Sequence, residues 1–213
     1  MARFTRAELE AFRDVAVPDL VPASSGPGAA PVRLLFVGIN PGLWTAAVQT
    51  HFAHPGNRFY PALLEAGIIG QRIDPAAGMT DDDRDHLRSR GIAITNLVER
   101  ATARADELSA EELRAGGMRL RTTVRTLAPE VVAVAGITAY RSAFGDRRAR
   151  AGRQEEPFED AALWIVPNPS GLNAHETVDS LARAYAAPAG EAGVLDVQPG
   201  PEPARGAGGE GPR

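Results

Sequence analysis

Short apolar runs alternate along this chain with segments whose apolar residues recur at helical spacing. Residues 32–39 are apolar apart from one arginine, a pattern typical of a strand buried on both faces. Residues 92–98, 130–135 and 163–166 repeat it, and helical signals separate them. Four buried strands separated by helices predict the α/β class: a three-layer α/β/α sandwich with a central four-stranded parallel sheet.

The predicted helices have recognisable start and stop signals. Asn57 caps a helix that Gly67 ends, Thr80 caps a second, and a capping box from Ser109 to Glu112 opens a long third helix. Two further helices are predicted over 136–144 and 176–186. The ends differ: we predict an N-terminal helix (7–15) and flexible lead-in within 1–31, one folded domain over 32–187, and a disordered tail over 188–213.

Two residue types are missing from the 213 residues. There is no cysteine, so disulfides, iron–sulfur clusters and cysteine-ligated zinc are excluded. There is also no lysine, because all 23 cationic residues are arginine, and this excludes lysine Schiff-base chemistry and the Walker A phosphate loop. We expect no cofactor and no metal. No apolar run suits a membrane helix and the N-terminus lacks a signal-peptide core, which predicts no membrane contact and a cytoplasmic protein.

The formal net charge of −4 argues weakly against nucleic acid as a partner, because phosphate contacts need positive surface. The distribution of charge matters more. Five arginines fall between positions 141 and 153 with a single acid among them, Asp146; the arginines are Arg141, Arg147, Arg148, Arg150 and Arg153. This segment is either a basic face or a solvated arginine-rich loop.

Polar motifs follow the predicted strands where parallel sheets bind ligands. Gly38-Ile39-Asn40-Pro41-Gly42 follows the first strand, and Pro41 pushes Asn40 away from helical geometry. The motif either holds an amide rigidly at a strand tip or is a simple Asn-Pro-Gly turn. It lacks the glycine fingerprint of dinucleotide-binding loops.

Two further residues, Phe52 and Asn96, are candidates for binding a flat ring. Phe52 stacks on a ligand or packs under its loop, while His51 and His54 read as loop hydrogen-bonding residues rather than catalysts or metal ligands. Asn96, after the second strand, offers the complement of the uracil imide edge or caps local backbone. Its neighbours Glu99 and Arg100 are interpreted as a structural ion pair.

A leucine follows the fourth strand in Asn168-Pro169-Ser170-Gly171-Leu172. Leu172 lies at the tip of a rigid proline and glycine turn. Apolar side chains in such places enter base stacks and unstack them. The alternative is that Leu172 is buried in the core at a helix start.

In their order and spacing, these motifs resemble those of the mismatch-specific uracil/thymine DNA glycosylases, over roughly residues 32–185. The resemblance implies the uracil-DNA glycosylase fold and, in 32–187, a glycosylase domain. It also implies that Asn40 is the catalytic asparagine, where related uracil glycosylases have aspartate, and that Asn168 replaces their histidine. Phe52 would stack on the flipped base, with Ile39, Asn96 and Thr45 also contacting it.

The remaining implied contacts concern the DNA. Leu172 would be the wedge, together with Gly171 and Asn173, and Ser170, Arg58, Arg147 and Arg148 are candidate phosphate contacts. Three positions depart from the bacterial mismatch enzyme. Asn96 stands in place of lysine, Ala174 in place of a wedge arginine, and Thr45 in place of serine or alanine near the base C5 atom; Thr45 and Asn96 favour uracil over thymine.

The resemblance predicts a monofunctional hydrolase that removes uracil, and less readily thymine, from mismatched double-stranded DNA in base-excision repair. An amide is not a general base at neutral pH, so base removal is expected to be slow. We expect a monomer associated with the nucleoid. One alternative is a mismatch- or abasic-site-binding module with little turnover; another is a nucleotide-binding α/β enzyme.

Overall fold

The computed structural model describes residues 4–22 and 31–195. Its centre is a five-stranded sheet in the order β2-β1-β3-β5-β4, with β1 (Leu34–Gly38), β2 (Ile92–Asn96), β3 (Val131–Ala135), β4 (Gly152–Arg153) and β5 (Ala162–Val166). β1, β2, β3 and β5 are parallel, and β4 pairs antiparallel with β5. The predicted four-stranded sheet is therefore wrong by one strand: the two-residue β4 is too short to leave an apolar pattern.

Alternate residues of β1 face opposite sides of the sheet, and both sides are buried. Leu34 and Phe36 belong to one apolar cluster, whereas Leu35 and Val37 belong to another. The continuous apolar run therefore arises because helices cover both faces of the strand.

Seven α-helices accompany the sheet in the described residues: α1 (Arg6–Glu10), α2 (Leu43–Val48), α3 (Phe59–Glu65), α4 (Asp81–Ser89), α5 (Ala110–Leu127), α6 (Ile137–Phe144) and α7 (Val178–Glu191). Buried side chains of α3, α4 and α7 join the cluster that contains Phe36. Side chains of α5 and α6 join the cluster that contains Val37. These two helical layers give the predicted α/β/α arrangement.

The helix signals place most boundaries close to their observed positions. Thr80 and Ser109 cap α4 and α5 with reciprocal hydrogen bonds to Asp83 and Glu112. Gly67 follows α3 with a φ of 68°, a conformation that favours glycine. α2 was not predicted, because its six residues are too few to establish a period, and α1 ends before the predicted limit at residue 15.

The C-terminal helix α7 extends beyond its predicted end, through Pro188 to Glu191. Ala189, Ala192 and Val194 are buried in the same apolar cluster as α3. Their burial outweighs the backbone hydrogen bond that Pro188 lacks. The predicted disorder of 188–213 is therefore wrong for 188–195, and residues 196–213 lie outside the described part of the chain.

The N-terminal segment is attached to the sheet. The backbone of Leu20 exchanges hydrogen bonds of 2.9 and 2.8 Å with that of Ile94 in β2. Arg100 forms an ion pair with Asp14 at 3.0 Å and another with Glu112 of α5. Glu99 and Arg100 were interpreted as an ion pair with each other, but Glu99 pairs instead with Arg119 at 3.3 Å.

Candidate active site

The polar motifs meet at one edge of the sheet. The chain passes from β1 to β2 on one side and later to β3 on the other, so the strand order changes direction between β1 and β3. Open parallel sheets bind ligands outside the carboxyl ends of their strands at such a change. Asn40 follows β1, Asn96 ends β2, and Asn168 follows β5, which places all three at this edge.

The Asn40 amide is held by its nitrogen. Asn40 Nδ2 donates to the backbone oxygens of Pro41 and Arg100, both at 3.1 Å, and to Thr102 Oγ1 at 2.7 Å. The Thr102 hydroxyl donates its own hydrogen to the Arg104 carbonyl at 2.8 Å, so towards Asn40 it accepts. With acceptors around the nitrogen, the half-buried amide presents its oxygen as the end free for a ligand or water.

The Asn168 amide is held by its oxygen. Asn168 Oδ1 accepts from the backbone N–H of Ser170 at 3.1 Å, an arrangement typical of asparagine in turns. The side chain is half-buried, and its NH₂ group is left to donate. Asn40 and Asn168 therefore present opposite ends of the same functional group: Asn40 offers an acceptor, and Asn168 offers donors.

Asn96 lies beside the glycine that ends β1. Gly38 and Asn96 are register partners, and a Cβ atom built on Gly38 would lie 2.3 Å from Asn96 Oδ1 and 3.2 Å from Phe52 Cζ. Any larger residue at 38 would occupy the space between the amide and the ring. Asn96 is 7% exposed, and its Nδ2 lies 3.1 Å from Nδ1 of buried His51.

The loop that carries Phe52 is held on both sides of the ring. Tyr60 donates its hydroxyl hydrogen to the His51 carbonyl at 3.0 Å, and the Ala53 N–H donates to Thr45 Oγ1 at 3.2 Å. Phe52 has a φ of 55°, a strained value for a bulky residue. Its ring stacks on Phe59 at 4.1 Å between centroids, and the side chain remains half-exposed.

Two residues predicted to contact the base, Thr45 and Ile39, are buried or half-buried. Thr45 is only 4% exposed, and its hydroxyl is the acceptor that holds the Phe52 loop. The structure thus gives Thr45 a supporting position behind the stacking ring. Ile39 is half-buried and approaches Gly136, whose added Cβ would lie 3.3 Å from Ile39 Cδ1 and 3.9 Å from Asn168 Cβ. Gly136 thereby brings the ends of β1 and β5 together across β3.

Leu172 is exposed rather than buried in the core: 84% of its surface is accessible. Its loop packs closely against the backbone of Gly56, because a Cβ on Gly171 would lie 2.6 Å from the Gly56 carbonyl oxygen. Arg58 Nη1 donates to the carbonyls of Ser170 and Asn173 at 3.3 and 3.1 Å. This contact gives Arg58 a role in holding the loop, where a phosphate contact was predicted.

Of the other wedge and phosphate candidates, Asn173 holds the loop, whereas Ser170, Arg147 and Arg148 keep groups available for a ligand. Asn173 Nδ2 donates to the Asn168 backbone oxygen at 3.2 Å, which closes the loop. Ser170 Oγ accepts from the Leu172 N–H at 3.3 Å and keeps its own hydrogen available. Arg147 and Arg148 are exposed, and within the described residues neither guanidinium has an ion-pair partner.

The arginine-rich segment is only partly free. Arg141 donates to the Ala149 carbonyl at 2.7 and 3.1 Å, and Arg153 forms an ion pair with Glu191 at 2.9 Å. Since β4 runs antiparallel to β5 and Gly152 pairs with Ile165, the residues before Gly152 approach the β5 end that precedes Asn168. Arg147, Arg148 and Arg150 are exposed and, within the described residues, have no ion-pair partner, unlike the exposed Arg153.

A cavity of about 420 Å³ lies behind the Phe52 loop, lined in part by Ala53, His54 and Tyr60. None of the three asparagines lines it, so the polar side chains at the strand ends, and not this cavity, form the candidate site. Across residues 4–22 and 31–195, no group of three His, Asp or Glu side chains is placed to hold a metal ion. No helix in those ranges is long and apolar enough to cross a membrane.

Several supporting residues were not identified from the sequence. Thr102 contacts Asn40, and His51, predicted only as a loop hydrogen-bonding residue, contacts Asn96; both partners are distant in the chain, so no local motif reveals these contacts. Gly116 of α5 approaches β2 so closely that an added Cβ would lie 2.1 Å from the Leu97 carbonyl oxygen. Arg119, one helical turn later, donates to the carbonyls of Asn96 and Leu97 at 3.2 and 2.6 Å.

Comparison with known proteins supports a relationship at the level of sequence family and of fold. A family model described as the uracil DNA glycosylase superfamily matches residues 26–187. The fold also matches the solution NMR structure of a protein from Methanosarcina acetivorans, provisionally described as a uracil DNA glycosylase. That match has a TM-score of 0.55 and 14% sequence identity, and covers 84% of this chain and 98% of the other.

Proposed function

This chain belongs to the uracil DNA glycosylase superfamily, whose members are hydrolytic glycosylases that act on DNA, and we propose that it is a monofunctional, mismatch-specific uracil-DNA glycosylase. In this proposal the enzyme hydrolyses the N-glycosidic bond of uracil in mismatched double-stranded DNA. It leaves an intact abasic site, since a chain without lysine has no lysine Schiff base with which to cleave the strand.

One observation carries the proposal: the opposite orientation of two asparagine amides at one sheet edge. Asn40 uses its nitrogen internally and offers an oxygen, whereas Asn168 uses its oxygen internally and offers N–H donors. Hydrolysis of a glycosidic bond needs an acceptor that orients the attacking water. It also needs donors that stabilise the negative charge on the departing base. These are the two ends that the site offers.

The base reaches these side chains only after it leaves the duplex. Flipping costs a few kcal/mol, least where pairing is already weak. Leu172, at the tip of a loop held by Arg58 and Gly56, is exposed and suited to fill the vacated place in the stack. The extruded base then stacks on the half-exposed ring of Phe52 and meets the Asn96 amide beside Gly38.

Bond cleavage then proceeds without a general base. The C1′–N1 bond breaks with oxocarbenium character in the sugar, and its electron pair leaves with uracil as an anion. Asn168 donors stabilise the O2 atom of that anion. Water oriented by the Asn40 oxygen attacks C1′, its proton passes to solvent, and solvent later protonates uracil. Because an amide does not remove the proton, we expect slow turnover.

Uracil is the preferred substrate over thymine in this proposal. The buried Thr45 hydroxyl accepts from the Ala53 N–H and so holds the loop that carries Phe52. The hydrogen bonds from Tyr60 and to Thr45 that hold this loop leave the Phe52 ring little freedom to move away from the 5-methyl group of thymine. Arg147 and Arg148 are the candidate phosphate contacts, because they are exposed and precede the strand that reaches the β5 end.

The test is a substrate panel. Duplexes with G·U, A·U or G·T pairs, and single-stranded uracil DNA, are incubated with the protein in chelator and then heated in alkali to cleave abasic sites. We expect cleavage, strongest for G·U. No cleavage on any uracil substrate would overturn the proposed activity. Tight binding at stoichiometric enzyme without turnover would instead support the mismatch-binding module.

The role of Asn40 has its own test. Asn40→Ala removes the water-orienting oxygen, so single-turnover excision should fall by about 100-fold or more while affinity for the duplex is retained. Thr102→Val is the companion variant, because it removes an acceptor of the Asn40 amide and keeps the shape; it should show a smaller loss in the same direction. Normal excision by Asn40→Ala would refute the assigned role.

A further inference from the structure

His51 is a buried histidine that the proposed mechanism does not use. It is 5% exposed, and its Nε2 atom lies 3.0 Å from the Pro18 carbonyl oxygen. A carbonyl oxygen only accepts hydrogen bonds, so Nε2 carries the ring hydrogen in this contact. Burial lowers the pKa of His51 to about 4, which keeps the ring neutral at physiological pH. Nδ1 is therefore a bare acceptor.

That bare nitrogen faces the base-reading asparagine. Asn96 Nδ2 lies 3.1 Å from His51 Nδ1, and an acceptor there requires an N–H on the amide side. If the amide were reversed, Oδ1 would meet the lone pair of Nδ1 at hydrogen-bond distance without a hydrogen between them. A buried pair of unsatisfied acceptors is costly, so the contact allows only one orientation of the Asn96 amide.

We propose that His51 is a positioning residue that fixes the Asn96 amide and thereby sets the site to read the imide edge of uracil rather than the amino edge of cytosine. This inference rests on the proposed function. The fixed amide keeps Oδ1 beside Gly38 as an acceptor and has a second Nδ2 hydrogen to donate. Uracil offers N3–H and O4, which match that pair.

Cytosine presents the reverse pattern. Its N3 atom accepts and its 4-amino group donates, so it requires an amide turned by 180°. In the orientation that His51 fixes, Asn96 Oδ1 would face cytosine N3 and Nδ2–H would face the amino group. Since cytosine is a normal base of DNA, the discrimination has a direct use: it prevents removal of undamaged bases that happen to flip.

The contact also has support beyond the pair. The Pro18 carbonyl belongs to the N-terminal segment that Leu20 attaches to β2, the strand that ends in Asn96. Tyr60 holds the His51 backbone carbonyl at 3.0 Å, and Arg119 holds the Asn96 carbonyl at 3.2 Å. Hydrogen bonds to their backbone carbonyls thus hold both residues of the pair in place. The His51 ring nitrogen then determines which end of the Asn96 amide faces it.

Two substitutions separate the two ring nitrogens. His51→Asn places an amide oxygen near the position of Nδ1 and can still accept from Asn96. His51→Gln reaches the position of Nε2 and can still donate to Pro18, but it leaves Asn96 without its acceptor. Tyr60→Phe is the matched control, because it removes a hydrogen bond to the His51 backbone and leaves the ring nitrogens in place.

The readout is binding of the flipped base without hydrolysis. Duplexes carry 2′-fluoro-2′-deoxyuridine or 2′-fluoro-2′-deoxycytidine opposite the same abasic-site analogue, since the fluorine slows glycosidic cleavage and the gap removes differences in pairing. The ratio of the two dissociation constants is compared among variants whose thermal unfolding confirms that they are folded. A change in general stability alters both constants together, whereas the orientation of the amide alters their ratio.

We expect His51→Gln to reduce the preference for uracil by about 10-fold or more, consistent with one misplaced buried hydrogen bond. His51→Asn and Tyr60→Phe should keep most of the preference. Equal ratios in His51→Gln, His51→Asn and the wild type would overturn the inference. Failure of the proposed function would be visible separately, as a wild-type protein that produces no abasic site from any uracil duplex.

Discussion

At the scale of single residues, the site consists of neutral groups whose orientation is fixed by other residues. Thr102 and two backbone carbonyls turn Asn40, the Ser170 N–H turns Asn168, and His51 turns Asn96. An unconstrained amide exchanges its two ends by rotation about a single bond. Three such groups are useful in catalysis or recognition only because their neighbours remove that ambiguity before the ligand arrives.

The burial of His51 has a measurable effect on stability. In the unfolded chain the histidine takes up a proton below its ordinary pKa of 6.5, whereas in the folded protein its pKa is about 4. Between these values the unfolded state binds more protons, so the free energy of unfolding should fall as the pH drops from 6.5 to 4. The expected loss is about 3 kcal/mol.

Denaturant titrations at several pH values measure this loss. His51→Asn has no titrating group at the position and should be flatter across the window. Carboxylates such as Glu112, whose pKa Arg100 and Ser109 lower to about 2, titrate at lower pH and do not imitate the effect. Parallel curves for the wild type and His51→Asn between pH 4 and 6.5 would contradict the expected linkage.

At the scale of elements, α5 controls the position of the end of β2. Gly116 allows the helix to approach the Leu97 carbonyl, and Arg119 then binds the carbonyls of Asn96 and Leu97. The loop that carries Leu172 is held in the same manner by Arg58 and by the close approach of Gly171 to Gly56. The end of β2 and the loop after β5 have defined positions because a helix and neighbouring loops hold their backbones.

Gly116→Ala tests the contact between α5 and β2. Its Cβ would lie 2.1 Å from the Leu97 backbone oxygen, so the helix or the strand end must move, in spite of the higher helix propensity of alanine. We expect a stability loss of about 2 kcal/mol and a fall in uracil excision, because Asn96 moves with the strand end.

Gly190→Ala is the control for this prediction. It lies within α7, and its Cβ would meet only the Leu195 side chain, at an ordinary 3.4 Å. The substitution should keep excision unchanged and raise stability by up to about 1 kcal/mol. Thermal unfolding and single-turnover rates measure both effects. A gain in stability for Gly116→Ala would show that α5 is not closely packed there.

Leu172→Ala separates opening of the duplex from chemistry. Since the side chain is 84% exposed, its removal should change the free energy of unfolding by less than about 0.5 kcal/mol. Excision from a paired duplex should fall by about 10-fold, whereas excision from single-stranded DNA should stay near the wild-type rate. Met118→Ala, 75% exposed on α5, is the control and should alter neither rate. Equal losses on both substrates would assign Leu172 to another step.

At the scale of the whole molecule, the sheet brings together residues that lie up to 128 positions apart, from Asn40 to Asn168. The apolar clusters on its two faces include every long helix, and α7 contributes side chains beyond Pro188. The N-terminal segment joins through Leu20 and the Pro18 carbonyl. The folded unit is thus larger than the region between the first and last predicted elements.

Truncation tests the C-terminal boundary. A chain that ends at Ala187 lacks the buried side chains of Ala189, Ala192 and Val194, and we expect it to lose about 3 kcal/mol of stability relative to a chain ending at Leu195. Denaturant unfolding of the two chains measures the difference. Equal denaturant midpoints for the two chains would instead support a domain boundary at residue 187.

The sequence predicts the frame of this molecule better than its details. Buried strands and capping boxes leave local patterns, so the layers, the parallel strands and the polar tips could be predicted. β4 has two residues, and the extension past Pro188 depends on tertiary burial, so neither has a local signal. The contacts of His51 and Thr102 with the asparagines depend on the folded geometry, which a single sequence does not encode in any local spacing.

The opposed amides of Asn40 and Asn168 have a consequence for the conditions under which the protein works. Neither group gains or loses a proton anywhere between mildly acidic and mildly alkaline solution, so the proposed mechanism has no step in which a side chain must be recharged between turnovers. Its velocity should therefore have a flat profile across buffers of different acidity. Such a centre tolerates fluctuations in cellular acidity that would halve the active fraction of one built on histidine.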